Sequence, residues 1–551
     1  MAKTLDILQL ALTRKEHALS KSLAVGIILC ISYLGLWLLG QEYDKEALYL
    51  ALSKRFILGD RPFYDDINII QTGQLVSLPL FRLYHFVAGG FEGMALFGRH
   101  LYWLLMGFAV ILCVRVGGAA VLISSLLFIV FWPFRNSTIS YYSLGLSFFL
   151  IGRLLGLTKT HSLKAFLNGI CDAIVAIAFF PLSPAALLAS LWNYSRCADR
   201  KKLVFSYLSG LVLLLVSFFI YIEISPLKVI MLSMVRLQGF GHRHFLSYRR
   251  PVEILTKIVH YLASPSYFFV ALSFPLILRQ KINLKLQRLV FALVPLLLWW
   301  PNRADVGGLA SHGLVIYLMF LVPFLMPSVK AKTDTRKWFY GLWLPALLAG
   351  FTAACFSNTN IGAMAIGFLP GAFLALFYIS LQSRSAWLCS FFILLSFFQF
   401  QFPVKYSFSK SMSWIGRGPF KGILAPCETV IYHNALISDL ENFSAPDKRS
   451  LIIPNDSMAN LASSLRPGTN NLWQLCQFTD GIPCQQYYEQ KLEQMQIVVW
   501  IDRAVHRFKQ LRQEVENRCT LSISKPRYEI FDCSSESGKL PLRVDAAPLT
   551  P

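Results

Sequence analysis

Charge is scarce in this chain: Asp, Glu, Lys and Arg together make up 15% of its 551 residues. The acids are the poorer part, with 30 Asp and Glu against 52 Lys and Arg and a formal net charge of +22. No Ala-x-Ala-like site follows the first apolar run, which argues against a cleavable signal peptide. The cysteines form no CxxC pair and no His-x-x-x-His pair accompanies them, so a zinc site is not indicated. Internal repeats, heptads and low-complexity tracts are also missing, which excludes solenoid and coiled-coil architectures. What is there is apolar: 55% hydrophobic residues, 44 Phe, 12 Trp and a mean hydropathy of +0.51. Such a composition belongs to polytopic α-helical membrane proteins. The Lys and Arg residues gather in short loops between apolar runs. There they set topology and meet anionic lipid, and nucleic acid is not the expected partner.

Arg14, Lys15 and Lys21 precede the first apolar run, Ser22–Gly40, which places the N-terminus in the cytoplasm. An outer loop over residues 41–100 follows. Further spans are expected at Leu101–Val114, Ala119–Phe134, Leu144–Leu157, Phe166–Phe180, Ala185–Trp192 and Leu203–Ile222. After a second, cation-rich outer loop over residues 225–264 come Tyr267–Leu278, Leu289–Trp300, Leu314–Met326, Trp338–Phe356, Ile366–Leu381 and Trp387–Phe402. Every second loop is basic, giving about 13 spans over residues 1–403 and an outer C-terminus.

Residues 404–551 have the composition of a soluble outer domain. Leu451–Pro454, Ile497–Ile501, Cys519–Ser522 and Tyr528–Asp532 read as strands, and Thr429–Asn442, Met458–Leu465 and Arg503–Glu516 as helices. The alternation predicts a small α/β domain. Cys476 with Cys484, and Cys519 with Cys533, are spaced for disulfides in an oxidising compartment, though both spacings also suit free thiols.

Carboxylates at the outer membrane edge are the candidates for chemistry. Asp44 suits either a general base facing an enclosed cavity or an N-cap for a helix over Lys45–Phe56. Asp65 and Asp66, after an Arg-Pro-Phe-Tyr turn, could orient an acceptor hydroxyl or hold a divalent ion, or form a solvated turn. Arg61 and Arg99 in the first loop and Arg243, Arg249 and Arg250 in the second are candidates for phosphate recognition through their planar forks. Within the spans, Asp172 is the clearest interior charge, with Arg153 at a span end.

The segments Asp44-Lys45-Glu46-Ala47-Leu48-Tyr49, Gly59-Asp60-Arg61-Pro62-Phe63-Tyr64-Asp65 and Gly416-Arg417-Gly418-Pro419-Phe420-Lys421-Gly422-Ile423 resemble those of the glycosyltransferase-C superfamily. Pro467-Gly468-Thr469 with Trp473 fits the same pattern. Many relatives carry Asp-Glu where this chain has Asp44-Lys45, so Glu46 or Glu42 could share the role of Asp44. Within the superfamily the chain is similar to the bacterial protein mannosyltransferase and aminoarabinose transferase group. The resemblance implies a glycosyltransferase-C-like module of the bacterial inner membrane with a periplasmic C-terminal domain. It further implies an inverting enzyme that uses a polyprenyl-phosphate-linked sugar as donor and needs no cofactor. The acceptor would be a glycolipid, polysaccharide or protein. Asp44 would act as base, Asp65 or Asp66 would position the acceptor, and Arg243, Arg249 or Arg250 would bind phosphate. A transporter of lipid-linked sugars, or an inactive scaffold of an envelope-assembly complex, are the rival classes.

Overall fold

The computed structural model describes residues 43–66, 71–117, 138–158, 161–229, 250–263, 333–356, 361–380, 411–443, 448–453, 456–469, 491–501 and 508–533, with isolated positions between them. These residues are mostly helical and carry two small sheets. Among the described residues three helices are long and apolar enough to cross a membrane: Met94–Gly117, Arg200–Ile222 and the continuous stretch Arg336–Cys355. Apart from isolated positions, the spans expected at Ser22–Gly40, Ala119–Phe134, Tyr267–Leu278, Leu289–Trp300, Leu314–Met326 and Trp387–Phe402 lie outside the described residues.

The segment expected as the first outer loop is not a loop in the ordinary sense. It is built from helices α1 (Tyr43–Ile57) and α2 (Gln71–Ala88), joined in part by a turned segment through Asp66. The membrane helix after it, α3 (Met94–Gly117), begins well before the expected Leu101, so Arg99 belongs to a helix and not to a loop. Hydropathy averages missed this start because Gly98, Arg99 and His100 dilute the apolar run.

Four helices follow as a packed group: α4 (Tyr141–Leu157), α5 (Ser162–Ala178), α6 (Ser183–Ser195) and α7 (Arg200–Ile222). Ser140 caps α4, its hydroxyl accepting from the Ser143 N–H while the Ser143 hydroxyl accepts from the Ser140 N–H. Pro181 and Pro184 break the chain between α5 and α6, leaving one 3-10 turn at Phe180–Leu182. Helices α5 and α7 meet backbone to backbone. A Cβ at Gly169 would lie 2.1 Å from the Tyr207 carbonyl oxygen, and one at Gly210 would lie 2.1 Å from that of Phe166. Small residues at a helix crossing permit this approach where lipid tails offer no competing gain from burial.

In the segment expected as the second outer loop, α8 (Arg250–Ala263) is described. Two helices then pack together: α9 (Thr333–Trp338) runs through a π turn at Phe339–Trp343 into α10 (Leu344–Cys355), and α11 (Ile361–Ser380) packs against it.

The C-terminal domain opens with an antiparallel hairpin, β1 (Met412–Trp414) and β2 (Leu424–Pro426), whose turn carries the Gly-Pro-Phe segment. Helix α12 (Cys427–Glu441) leads to β3 (Arg449–Ile453), α13 (Ser457–Ala462), β4 (Arg466–Pro467), β5 (Ile497–Ile501), α14 (Lys509–Arg518), β6 (Thr520–Lys525) and β7 (Tyr528–Asp532). The five-stranded sheet has the order β4-β3-β5-β7-β6. Strands β3, β4 and β5 are parallel, and β7 runs antiparallel to both β5 and β6. Helix α12 covers one face through Leu436 and Leu440 on Ile452, Val499 and Ile530, and α14 covers the other through Leu511 and Val515 on Leu451, Val498 and Trp500. The central strand β5 is therefore apolar at all five positions, as a strand buried on both faces must be. Cys519 and Cys533 are joined by a disulfide that closes the β6–β7 hairpin, whereas Cys476 and Cys484 lie outside the described residues.

Candidate functional site at the first outer loop

Residues 46–56 of α1 are buried without a break, so this helix is enclosed on every side. Each of its buried charges must then have a partner. The Glu46 carboxylate accepts a forked pair of hydrogen bonds from Arg99 on α3, with Nε–Oε1 at 2.9 Å. The Lys54 ammonium donates to three carbonyls at the C-terminal end of α13: Asn460 at 3.1 Å, Leu461 at 3.0 Å, and Ser463. The negative end of a helix favours such a cation, while burial pushes the ammonium down to about 7. Arg55 serves the turn after α1, donating to the Asp60 carboxylate, to the Asp66 carboxylate at 3.0 Å and to the Asp65 carbonyl at 2.6 Å.

The Arg55 guanidinium thus holds the turn in shape. Phe63 inside it has φ +63, the left-handed region that a bulky side chain avoids, and is fully buried. Its N–H donates to Gln71 Oε1 at 2.8 Å, which helps to fix that conformation. Such a residue persists only where its surroundings over-determine it.

The predicted site residues are dispersed by this arrangement. Asp44 lies in the first turn of α1 and not at its N-cap position, since the helix already begins at Tyr43. Asp66 is fully buried against Arg55, and Asp44 and Arg55 are separated by about 16 Å of helix axis at 1.5 Å per residue. The structure does not gather Asp44 and the Asp65–Asp66 pair around one acceptor hydroxyl. Asp66 and Arg99 are built into the frame, because full burial closes them off from a substrate at the membrane face. Arg250 is mostly buried and donates to Glu253 at 2.9 Å, while Arg243 and Arg249 lie outside the described residues.

Arg61 and Asp65 remain at the surface. The Asp65 carboxylate accepts from the Arg61 N–H at 2.6 Å and lies 3.5 Å from its guanidinium. The Arg61 side chain is 73% exposed. Tyr64 beside them carries two cations, with Arg61 5.3 Å and Lys228 4.6 Å from its ring centroid, and its hydroxyl meets the Lys228 ammonium. Arg82 on α2 donates to Tyr221 near the C-terminal end of α7 at 3.4 Å. Arg61, Lys228 and Arg82 make this a cationic rim beside the C-terminal end of α7. Sequence reading singled out Arg61 and took Tyr64 only as part of its turn; the fold brings Tyr64 between Arg61 and Lys228.

The Gly-Pro-Phe turn of the C-terminal domain docks on the start of α3. The Gly93 and Ala95 N–H groups donate to the carbonyls of Gly418 and Pro419, both at 2.9 Å, so the turn caps a membrane helix. Gly418 has φ +74, and a Cβ there would lie 2.2 Å from Ile437 on α12. His433 on α12 is buried against Phe420 of this turn, and neither ring nitrogen has a hydrogen-bond partner among the described residues. Burial, and secondarily the Arg417 charge, push its imidazole down to about 4.

A histidine so depressed stays neutral in the folded protein while its unfolded counterpart binds a proton from about pH 6.5 downward. Stability is therefore fully present above pH 6.5 and declines as the pH falls from 6.5 to 4. The loss reaches about 3 kcal/mol. His433→Phe removes that share of the acid sensitivity. Denaturant unfolding of the purified protein at pH 7.5 and 4.5 checks this, and an unchanged pH difference in the variant would overturn it.

No protein-family model matches this chain, and no curated protein matches it.

Proposed function

We propose that this chain is an integral membrane glycosyltransferase that moves a sugar from a polyprenyl-phosphate donor to an acceptor hydroxyl on the outer face. The observation that carries the reading is the division of labour along α1. Glu46, Lys54 and Arg55 are spent on holding the helix against α3, α13 and the turn, which leaves its first turn, with Asp44, as the place for chemistry. Asp44 takes the proton of the acceptor hydroxyl. The oxygen attacks the anomeric carbon, the bond from that carbon to the phosphate oxygen breaks, and polyprenyl phosphate leaves with inversion. The departing group is already an anion, so cations assist it and no acid is required. Arg243 and Arg249 of the second outer loop are the residues proposed to meet it. The acceptor is a glycolipid, a polysaccharide or a protein, and the setting is a bacterial inner membrane with the C-terminal domain in the periplasm. Three membrane-length helices among the described residues support the membrane part of that setting.

Radiolabelled sugar supplied on purified polyprenyl phosphates, with a membrane extract as acceptor, tests the reading. Asp44→Asn is expected to lower transfer by about 10²–10⁴-fold, the usual contribution of a positioned base, while Asp65→Asn retains most of it. Full transfer by Asp44→Asn with loss in Asp65→Asn would move the base to the cationic rim. The rival class is a transporter of lipid-linked sugars. Movement of labelled donor across liposomes without any transfer would support that class.

A further inference from the structure

We infer that Arg449, Arg466 and Lys491 form a binding site for an oxyanion of the phosphate class, at the seam between the edge of the C-terminal sheet and the turn that follows α1. Arg449 opens β3 and Arg466 opens β4, and the two are direct partners in the parallel pairing of these strands. Neighbouring strands lie about 4.8 Å apart, and side chains in register leave the same face. Two residues further along, Leu451 packs with Leu492 and Met495, and a Cβ at Gly468 would meet Met495. Both arginines therefore stand on the face covered by the chain ahead of β5, the stretch to which Lys491 belongs. All three cations are half-buried. The Arg466 guanidinium reaches the turn after α1: a Cβ at Gly59 would lie 3.8 Å from its Nη2.

This seam is short of negative charge. Among the described residues none of the three cations pairs with a carboxylate, and Asp60 and Asp66 of the adjoining turn are taken by Arg55. The charges that Lys491 meets, those of Arg449 and Arg55, have its own sign. Burial first, and then these two charges, push its ammonium down. Cations gathered in this way repel one another, and partial burial keeps water from screening them fully. A bound anion balances the arrangement. Its chemistry follows from the donors. Two guanidinium forks in register supply paired, charge-assisted hydrogen bonds, and the ammonium adds a point charge. A phosphate monoester answers them with about two negative charges on three free oxygens, where a carboxylate brings a single charge. The open edge of a sheet, where β4 lies, is a place where such groups are bound. An anion held here fastens the C-terminal sheet to the turn that Arg55 organises. The inference holds whatever reaction the chain performs.

The test uses the full chain in phosphate-free dodecyl maltoside at constant ionic strength. Isothermal titration calorimetry is run with inorganic phosphate in one arm and with short-chain phosphatidic acid in the other. A saturable site on the parent for at least one probe is the expected result. Binding of phosphate alone marks a soluble phosphate as the source, and binding of phosphatidic acid alone marks a lipid headgroup. Arg449→Gln and Arg466→Gln are each expected to weaken binding by about tenfold or more, the usual cost of a charge-assisted hydrogen bond. Lys525→Gln removes the same charge from the exposed edge strand β6 and is expected to leave binding unchanged. Lys491→Gln repeats the reading from the third side, so that one variant that fails to fold leaves the others to decide. Thermal unfolding separates a ligand role from a structural one. Without phosphate the three site variants are expected to match or exceed the parent, because repulsion is relieved, and only the parent gains stability when the anion is added. No saturable binding of either probe by the parent, or binding that the site variants retain, would overturn the inference. Equal weakening by Lys525→Gln would overturn it by showing attraction to net charge alone. Site variants that are all less stable than the parent without phosphate would overturn it by showing cations that serve the fold.

Discussion

Asp172→Leu is expected to destabilise the protein by about 3–5 kcal/mol, the cost of leaving one member of a buried ion pair without its partner. Asp172 lies on α5 and is fully buried. Its carboxylate accepts from Arg153 on α4 at 2.7 and 2.8 Å, from Ser190 on α6 at 2.6 Å and from Tyr207 on α7 at 3.0 Å. Asn168 extends the network to Ser190 and Tyr194, and Arg153 also donates to the Ala186 carbonyl at 2.8 Å. One carboxylate therefore ties four helices together in surroundings where water cannot replace a lost bond. The arrangement is closed, which separates it from an ion pathway: such a path would need a member free to change partners. Removing both charges, as in Arg153→Met with Asp172→Leu, is expected to recover a large part of the loss because no charge is then stranded. Thermal unfolding of the parent and the two variants in detergent decides the matter. A single variant as stable as the parent would show that the pair contributes nothing.

The legibility of these features in the sequence followed their range. Strands β5 and β7 occupy the residues expected of them, Ile497–Ile501 and Tyr528–Asp532, because short apolar runs between turn signals carry their own period. Helix α14 was expected from Arg503, yet the described helix starts at Lys509: the apolar pattern runs on through Val505 and Phe508 without specifying where the backbone turns helical. Asp172 and Arg153 were visible as charges inside apolar runs. The cluster around α1 was not. Lys54 finds its acceptors at residues 460–463, some four hundred positions along the chain, and Glu46 finds its partner on α3. Periodicity reports which face of a helix is apolar but says nothing of a helix that folding encloses on all sides. For the same reason Asp66 read as a surface carboxylate, while in the fold it is an internal counter-ion.

That reassignment gives the second large effect. Arg55→Met is expected to abolish transfer and also to destabilise the first outer loop by about 3–5 kcal/mol, since it strands two buried carboxylates together. Asp60 is almost fully buried, Asp66 entirely so, and Arg55 is the cation that both of them meet. Without it their mutual repulsion adds to the cost of burial, and protonation of one of them is the cheapest escape. The variant is therefore expected to regain stability as the pH is lowered toward the range where carboxyls protonate, against the trend that His433 imposes on the parent. Asp44→Asn shares the loss of transfer and differs in the rest: its unfolding midpoint and pH profile stay with the parent. Measuring transfer and unfolding on the same preparations separates a residue that acts on substrate from one that holds the loop. If Arg55→Met kept the parent's stability, the turn would not depend on this guanidinium, and Asp66 would return as a candidate for chemistry.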